Sequence, residues 1–160
     1  MKRTGPEMTD DGRYIVVKGR RWRASDPSIP EELKDELVRE LMRARRAIKG
    51  GDMSARARVH AAKTALGERG EPWWEQTDDG RRSRAVATVS ALLSGRDGEP
   101  VHSREVAQVL GGERWQNIVE TAMREAVGEQ WTLREHDGGL AVSQKPAARG
   151  GATRRESQEA

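Results

Sequence analysis

Cysteine is absent from this chain, which excludes disulfides, thiolate nucleophiles and cysteine-ligated zinc together. Phenylalanine is also absent and tyrosine occurs once, so the large apolar surfaces must come from Trp22, Trp73, Trp74, Trp115 and Trp131. No stretch approaches the ~18 apolar residues of a membrane-spanning helix. The Met-Lys-Arg-Thr start lacks the apolar segment of a signal peptide. A cytoplasmic location without a membrane partner is therefore the expectation. Hydrophobic residues make up only 34% of the 160 and charged residues another 34%, so the core is thin and the chain has room for one ordinary domain or two small ones.

What is present is unevenly placed charge. The net charge is +3, but residues 12–72 hold fifteen Lys and Arg against nine Asp and Glu, whereas residues 81–145 hold nine of each. The basic character belongs to the N-terminal half, and most of it is arginine.

The periodicity predicts a mainly α protein: a small β-hairpin plus an antiparallel helical hairpin, followed by a winged-helix-like domain of three helices and a β-hairpin wing. Residues 1–11 are polar and read as a flexible lead. Tyr14-Ile15-Val16-Val17, a Lys18-Gly19-Arg20 turn and Arg21-Trp22-Arg23 read as the hairpin. Ser28 and Glu31 have capping-box spacing, with Pro30 in the first turn. Leu33, Leu37, Leu41, Ala44 and Ile48 then form a helical stripe that Gly50-Gly51 ends. A second helix runs from about Ser54 to Leu66, on Ala55, Val59, Ala62 and Leu66, and completes a module spanning 12–75. Residues 76–80 are acidic and polar and are expected to be a linker.

The second module is expected over 81–145. Val86, Val89 and Leu93 mark its first helix, and Ser103 is positioned to cap the second, which Gly111-Gly112 ends. Trp115, Ile118, Val119, Ala122, Met123 and Ala126 line the third. Two alternating strands around Trp131–Leu133 and Leu140–Val142 flank a His136-Asp137-Gly138-Gly139 turn. From residue 146 to 160 the chain is small and polar, the composition of a disordered tail.

Two stretches resemble known families. Gly19-Arg20-Arg21-Trp22-Arg23, Asp26-Pro27-Ser28-Ile29-Pro30, Ala55-Arg56-Ala57-Arg58-Val59-His60 and the run from Ala65 to Trp74 resemble an uncharacterised bacterial family whose members often carry the label "biopolymer transporter Tol". The similarity covers roughly 14–75. Energy coupling of the Tol type needs a membrane anchor, so the label is not expected to describe this chain. Arg104-Glu105-Val106-Ala107 and Trp115 resemble a winged-helix-like bacterial domain of unknown function, although His102-Ser103 stands where that family has Cys-Pro. Neither resemblance brings a catalytic residue or a cofactor.

The residues give the same answer on chemistry. His60, His102 and His136 lie in three different elements with no i, i+4 pair, and His60 sits between Arg58 and Lys63, so no metal is expected. There is no nucleophile elbow and no phosphate-cradling glycine loop. Asp78-Asp79 lies beside Arg81-Arg82, where ion pairing is the expected use. The chain is read as a non-enzyme without a cofactor.

Nucleic acid is the expected partner of the basic half. Arg20, Arg21 and Arg23 on the hairpin, with Arg45, Arg46 and Arg56 near the tip of the helical hairpin, are the candidate phosphate contacts. A merely solvated helix tip remains an equal reading of that cluster. Trp22 is expected to plug the hairpin onto the helices, with stacking on an exposed base as the alternative. Trp73-Trp74 is expected as a second plug, with a partner-binding aromatic patch as its alternative. In the third helix of the second module, Glu113, Glu120, Glu125 and Glu129 outnumber Arg114 and Arg124, which favours a protein partner or a homodimer over an operator. A pure protein–protein adaptor is the other overall reading.

Overall fold

The computed structural model describes residues 6–145. The tail expected over 146–160 and the first five residues of the expected lead lie outside them. The described chain is mixed α/β and mainly helical, with five α-helices and two three-stranded antiparallel sheets.

The N-terminal sheet forms around a two-residue turn. Lys18 and Gly19 both take positive φ, 51° and 75°, the geometry whose twist matches paired strands. β2 (Tyr14–Val17) and β3 (Arg20–Arg23) pair across it, Ile15 opposite Trp22 and Val16 opposite Arg21. The expected hairpin is only part of this sheet, because β1 (Glu7–Met8) adds to the outer side of β2. Residues 7–8 therefore belong to the sheet rather than to a flexible lead. Thr9 accounts for the difference, since its backbone N–H donates to Tyr14 O at 2.9 Å and its hydroxyl accepts from Tyr14 N at 3.2 Å.

α1 (Glu31–Lys49) buries Leu33, Leu37, Leu41 and Ala44, the expected stripe. Its expected capping box does not form. Pro30 occupies the cap position, and Ser28 is held instead by Asp26, whose Oδ1 accepts from Ser28 Oγ at 2.7 Å and Ser28 N at 2.9 Å. A short 3₁₀ turn, Met53–Ala55, leads into α2 (Arg56–Ala65), so the second helix starts two residues later than expected. Gly67 follows at φ 82°, and a Cβ there would lie 2.9 Å from that of Trp73. That close approach lets Trp73 lie across the helix end and donate its indole N–H to Ala24 O at 3.0 Å.

The expected linker is not a linker. Thr77 caps α3 (Asp78–Gly95) by accepting from Gly80 N at 3.1 Å, and Asp78 and Asp79 favour the positive end of the helix dipole. Each aspartate also pairs with the arginine three residues on, Asp78 with Arg81 and Asp79 with Arg82. α3 is the centre of the molecule, packed by α1 and α2 on one side and by the C-terminal helices on the other. Its buried residues, Arg84, Ala85, Thr88, Val89, Ala91, Leu92 and Leu93, therefore run round the helix instead of forming a stripe. The apolar side chains from Ile29 to Val142 make one continuous core, so the two expected modules share their interior.

The C-terminal half contains β4 (Val101–His102), α4 (Ser103–Leu110), a 3₁₀ turn at Glu113–Trp115, α5 (Gln116–Ala126), β5 (Trp131–His136) and β6 (Gly139–Gln144). The expected helices and hairpin are present. β4 is additional and pairs with β6, giving the strand order β4-β6-β5.

Two arginines tie the halves together. Arg84 is 1% exposed, and its guanidinium donates to Asp26 Oδ2 at 3.0 Å, Ala65 O at 3.0 Å, Gln76 Oε1 at 3.3 Å and Val109 O at 3.2 Å. Burial pushes its pKa down, and Asp26 opposes that. Arg96, just after α3, grips Glu36 of α1 and Glu105 of α4, each with two hydrogen bonds of 2.8–3.1 Å. Among the described residues no helix is long and apolar enough to cross a membrane.

Candidate nucleic-acid interface

The pleat sorts the hairpin side chains. Ile15, Val17, Arg20 and Trp22 share one face of the sheet, while Tyr14, Val16, Arg21 and Arg23 share the other. The first face overhangs α1 and α2 and leaves a groove of about 290 Å³ between sheet and helices. Ile15, Trp22, Val38, Leu41, Met42 and Leu66 give it an apolar floor, and Arg45, Lys63 and Glu68 supply its charge, while Arg23 borders it with a guanidinium turned to the other face. Glu68 is itself hydrogen-bonded by Ser25 Oγ at 2.9 Å.

One carboxylate does not neutralise both Arg45 and Lys63. The Lys63 ammonium is held below its usual pKa, first by burial and then by the charges of Arg45 and Arg69, with Glu68 only partly opposing them. Arg69 in turn donates to His60 Nδ1 at 3.2 Å. Unmatched positive charge over a low-dielectric floor concentrates the field outward, toward an anion.

The six arginines proposed from sequence do not form one face. Arg45 lies in the groove; Arg23 borders it, but its Nη1 donates to Gly70 O at 2.8 Å on the other face of the sheet. Arg20 lies over the Trp22 ring, 4.6 Å from its centroid, and Arg21 lies over Tyr14 at 4.5 Å on the opposite face. Arg46 belongs to a different depression, beside Arg39, Arg43 and Gly95, and Arg56 is exposed at the first turn of α2. Arg43 and Arg58 are drawn inward by Glu40, a fully buried carboxylate that accepts from Arg58 at 2.7 and 3.2 Å and from Arg43 at 3.1 Å.

Trp22 is not the plug expected of it. It remains 44% exposed at the groove wall, whereas Trp73 and Trp74 fill the plug role. Trp74 packs edge-on against Tyr14 at 5.6 Å and against Trp73 at 5.1 Å, so the tryptophan pair is no open patch.

Sequence reasoning missed Lys63 as a groove residue, although a signal existed. It lies four residues after Val59 and three before Leu66, which places it at the edge of the apolar stripe of α2. The histidine pair gave no such signal. His102 Nδ1 and His136 Nε2 lie 2.9 Å apart, brought together from 34 residues away by β4 and β5 flanking β6. His136 Nδ1 also lies 3.0 Å from Asp137 O, to which it donates. Among the described residues no group of three or more His, Asp or Glu side chains is disposed to hold a metal ion.

Comparison with known protein families, with curated proteins and with solved structures finds no match to this chain.

Proposed function

We propose that this protein is a non-enzymatic accessory factor that docks on nucleic acid or a nucleoprotein through the groove of its N-terminal half. The observation that carries the reading is the convergence of Arg45 and Lys63 on one concave surface where Glu68 is the one acid among the described lining residues. A polyanion neutralises such a cluster and releases its own counterions in doing so. Arg20, Arg46 and Arg56 border this surface or lie further along the helical hairpin, where they extend the positive field without defining a site.

The C-terminal half has a different part in this proposal. Its helices, the β4 strand and the β5–β6 hairpin follow a winged-helix order, with α5 in the recognition-helix position. Glu120 and Glu125 of α5 and the Arg124–Glu135 ion pair make its surface balanced rather than basic. A protein partner or a second copy suits that surface better than DNA phosphates.

Fluorescence anisotropy with labelled nucleic acids at several salt concentrations tests the docking. Binding in the micromolar range is expected, weakening as salt rises, and Arg45→Gln with Lys63→Gln should flatten the salt slope by about two charges' worth. Absence of binding to any nucleic acid at low salt would remove the reading and leave a protein–protein adaptor in its place.

A further inference from the structure

We infer that the groove recognises single-stranded nucleic acid, seating one unpaired nucleotide with its base against Trp22 and its phosphate at Arg45 and Lys63; this rests on the nucleic-acid reading above. Three features of the groove lead there, and each disfavours a duplex.

The first is Trp22. The other four tryptophans are partly buried, while Trp22 is exposed, with 44% of its surface open beside Met42, which is also exposed. An indole left open beside unmatched cations is the arrangement single-strand binders use, because every base offers a face to stack on and none is needed for pairing. Arg20 rests over the ring as a removable cover, 4.6 Å from its centroid. Its guanidinium is planar, so the ring face already accepts a flat group, and a displaced Arg20 stays close enough to meet a neighbouring phosphate.

The second is the order of chemistry across the groove. The floor is apolar, built by Ile15, Leu41 and Leu66, while Arg45 and Lys63 come from the two helices that form its other wall. A duplex presents phosphates outward and keeps its base faces stacked inside, so it has nothing to place on such a floor. An unpaired nucleotide has both a hydrophobic face and a charge on one unit.

The third is size. About 290 Å³ is the scale of a single small ligand rather than of a double helix, and the sheet overhang narrows the approach.

The test compares labelled 12-mer oligothymidine and oligouridine with a duplex DNA of equal length, in anisotropy titrations at one fixed low salt concentration. The expected result is that the single strands bind at least about tenfold tighter than the duplex. Trp22→Ala should then cost about tenfold for the single strands, a larger loss than for the duplex, while Trp22→Phe keeps most of the affinity. Thermal melts of both variants establish that each is folded, and Trp22→Phe supplies the comparison should Trp22→Ala be unfolded. Equal or tighter duplex binding, or single-strand affinity indifferent to Trp22→Phe and Trp22→Ala alike, would overturn this inference while leaving nucleic-acid docking intact. Failure of every nucleic acid to bind would overturn both.

Discussion

The helical hairpin carries two arginine-rich clusters that differ in one respect. On one side Arg43 and Arg58 converge on Glu40, which is fully buried and accepts three hydrogen bonds from them. On the other side Arg45 and Lys63 converge on a groove, against the single carboxylate of Glu68 among its described lining residues. The first cluster is answered from within the chain; in the second, burial lowers the pKa of Lys63 and the charges of Arg45 and Arg69 lower it further. Counting arginines cannot separate the two. What separates them is whether an acid lies on the inner side of the cations, and that decides which cluster is free for a partner.

Arg84 is the extreme of the answered kind, and removing it should have the largest effect. Arg84→Ala leaves Asp26 buried without its partner and two carbonyls without a donor, a loss of about 3–5 kcal/mol in urea denaturation. Combining Arg84→Met with Asp26→Val should recover most of that, because no buried charge is then left alone. If the double variant is no more stable than Arg84→Ala, the loss comes from packing and not from the stranded acid.

Glu40→Gln turns the first cluster into a copy of the second. It removes the carboxylate that raises the pKa of Arg58, chiefly through its hydrogen bonds. A cost of about 1–2 kcal/mol is expected, since both arginines can still reach water. Arg43 and Arg58 then become available, so oligonucleotide affinity should rise several-fold in anisotropy titrations. Unchanged affinity would mean that neutralisation does not decide availability.

The smallest effect concerns Lys63, and its sign is opposite. The folded state lowers the pKa of this lysine, so at neutral pH folding works against its charge, and stability rises with pH between the folded value and the ordinary 10.5. Lys63→Gln should therefore melt slightly higher than the parent at pH 7, with the gap closing as pH approaches 10.5. A gap that stays constant with pH, or a variant that melts lower throughout, would show that folding does not work against the charge of Lys63.

Much of the fold was legible in the sequence because the spacing of apolar residues reports burial directly. Leu33, Leu37, Leu41 and Ala44 marked α1, and Val119, Ala122 and Met123 marked α5. The turn at Lys18-Gly19 was legible for the same kind of local reason. The linker was misread because Gln76 to Gly80 is polar, yet Thr77 and the two aspartates are also what a helix start looks like. α3 has no single stripe to announce that it is wrapped on both sides, so the shared core was invisible. The candidate site was less legible than the fold. Arg23 and Arg45 were named among six arginines, but nothing local distinguishes them from Arg46, whose neighbours turn it to another side. Trp22 was expected in the interior because an isolated hairpin must pack on something else, yet Trp22 stays 44% exposed.

The contact between Arg84 and Val109 bears on the order in which the chain is made. A protein emerging from the ribosome completes its earliest parts first when they fold from local contacts alone. Here the charge that holds Asp26, at the base of the N-terminal half, donates one of its hydrogen bonds to a carbonyl 83 positions later than that aspartate. The groove therefore cannot reach its final support until α4 has been synthesised, and the nascent chain stays unfinished at its front end until most of its length exists.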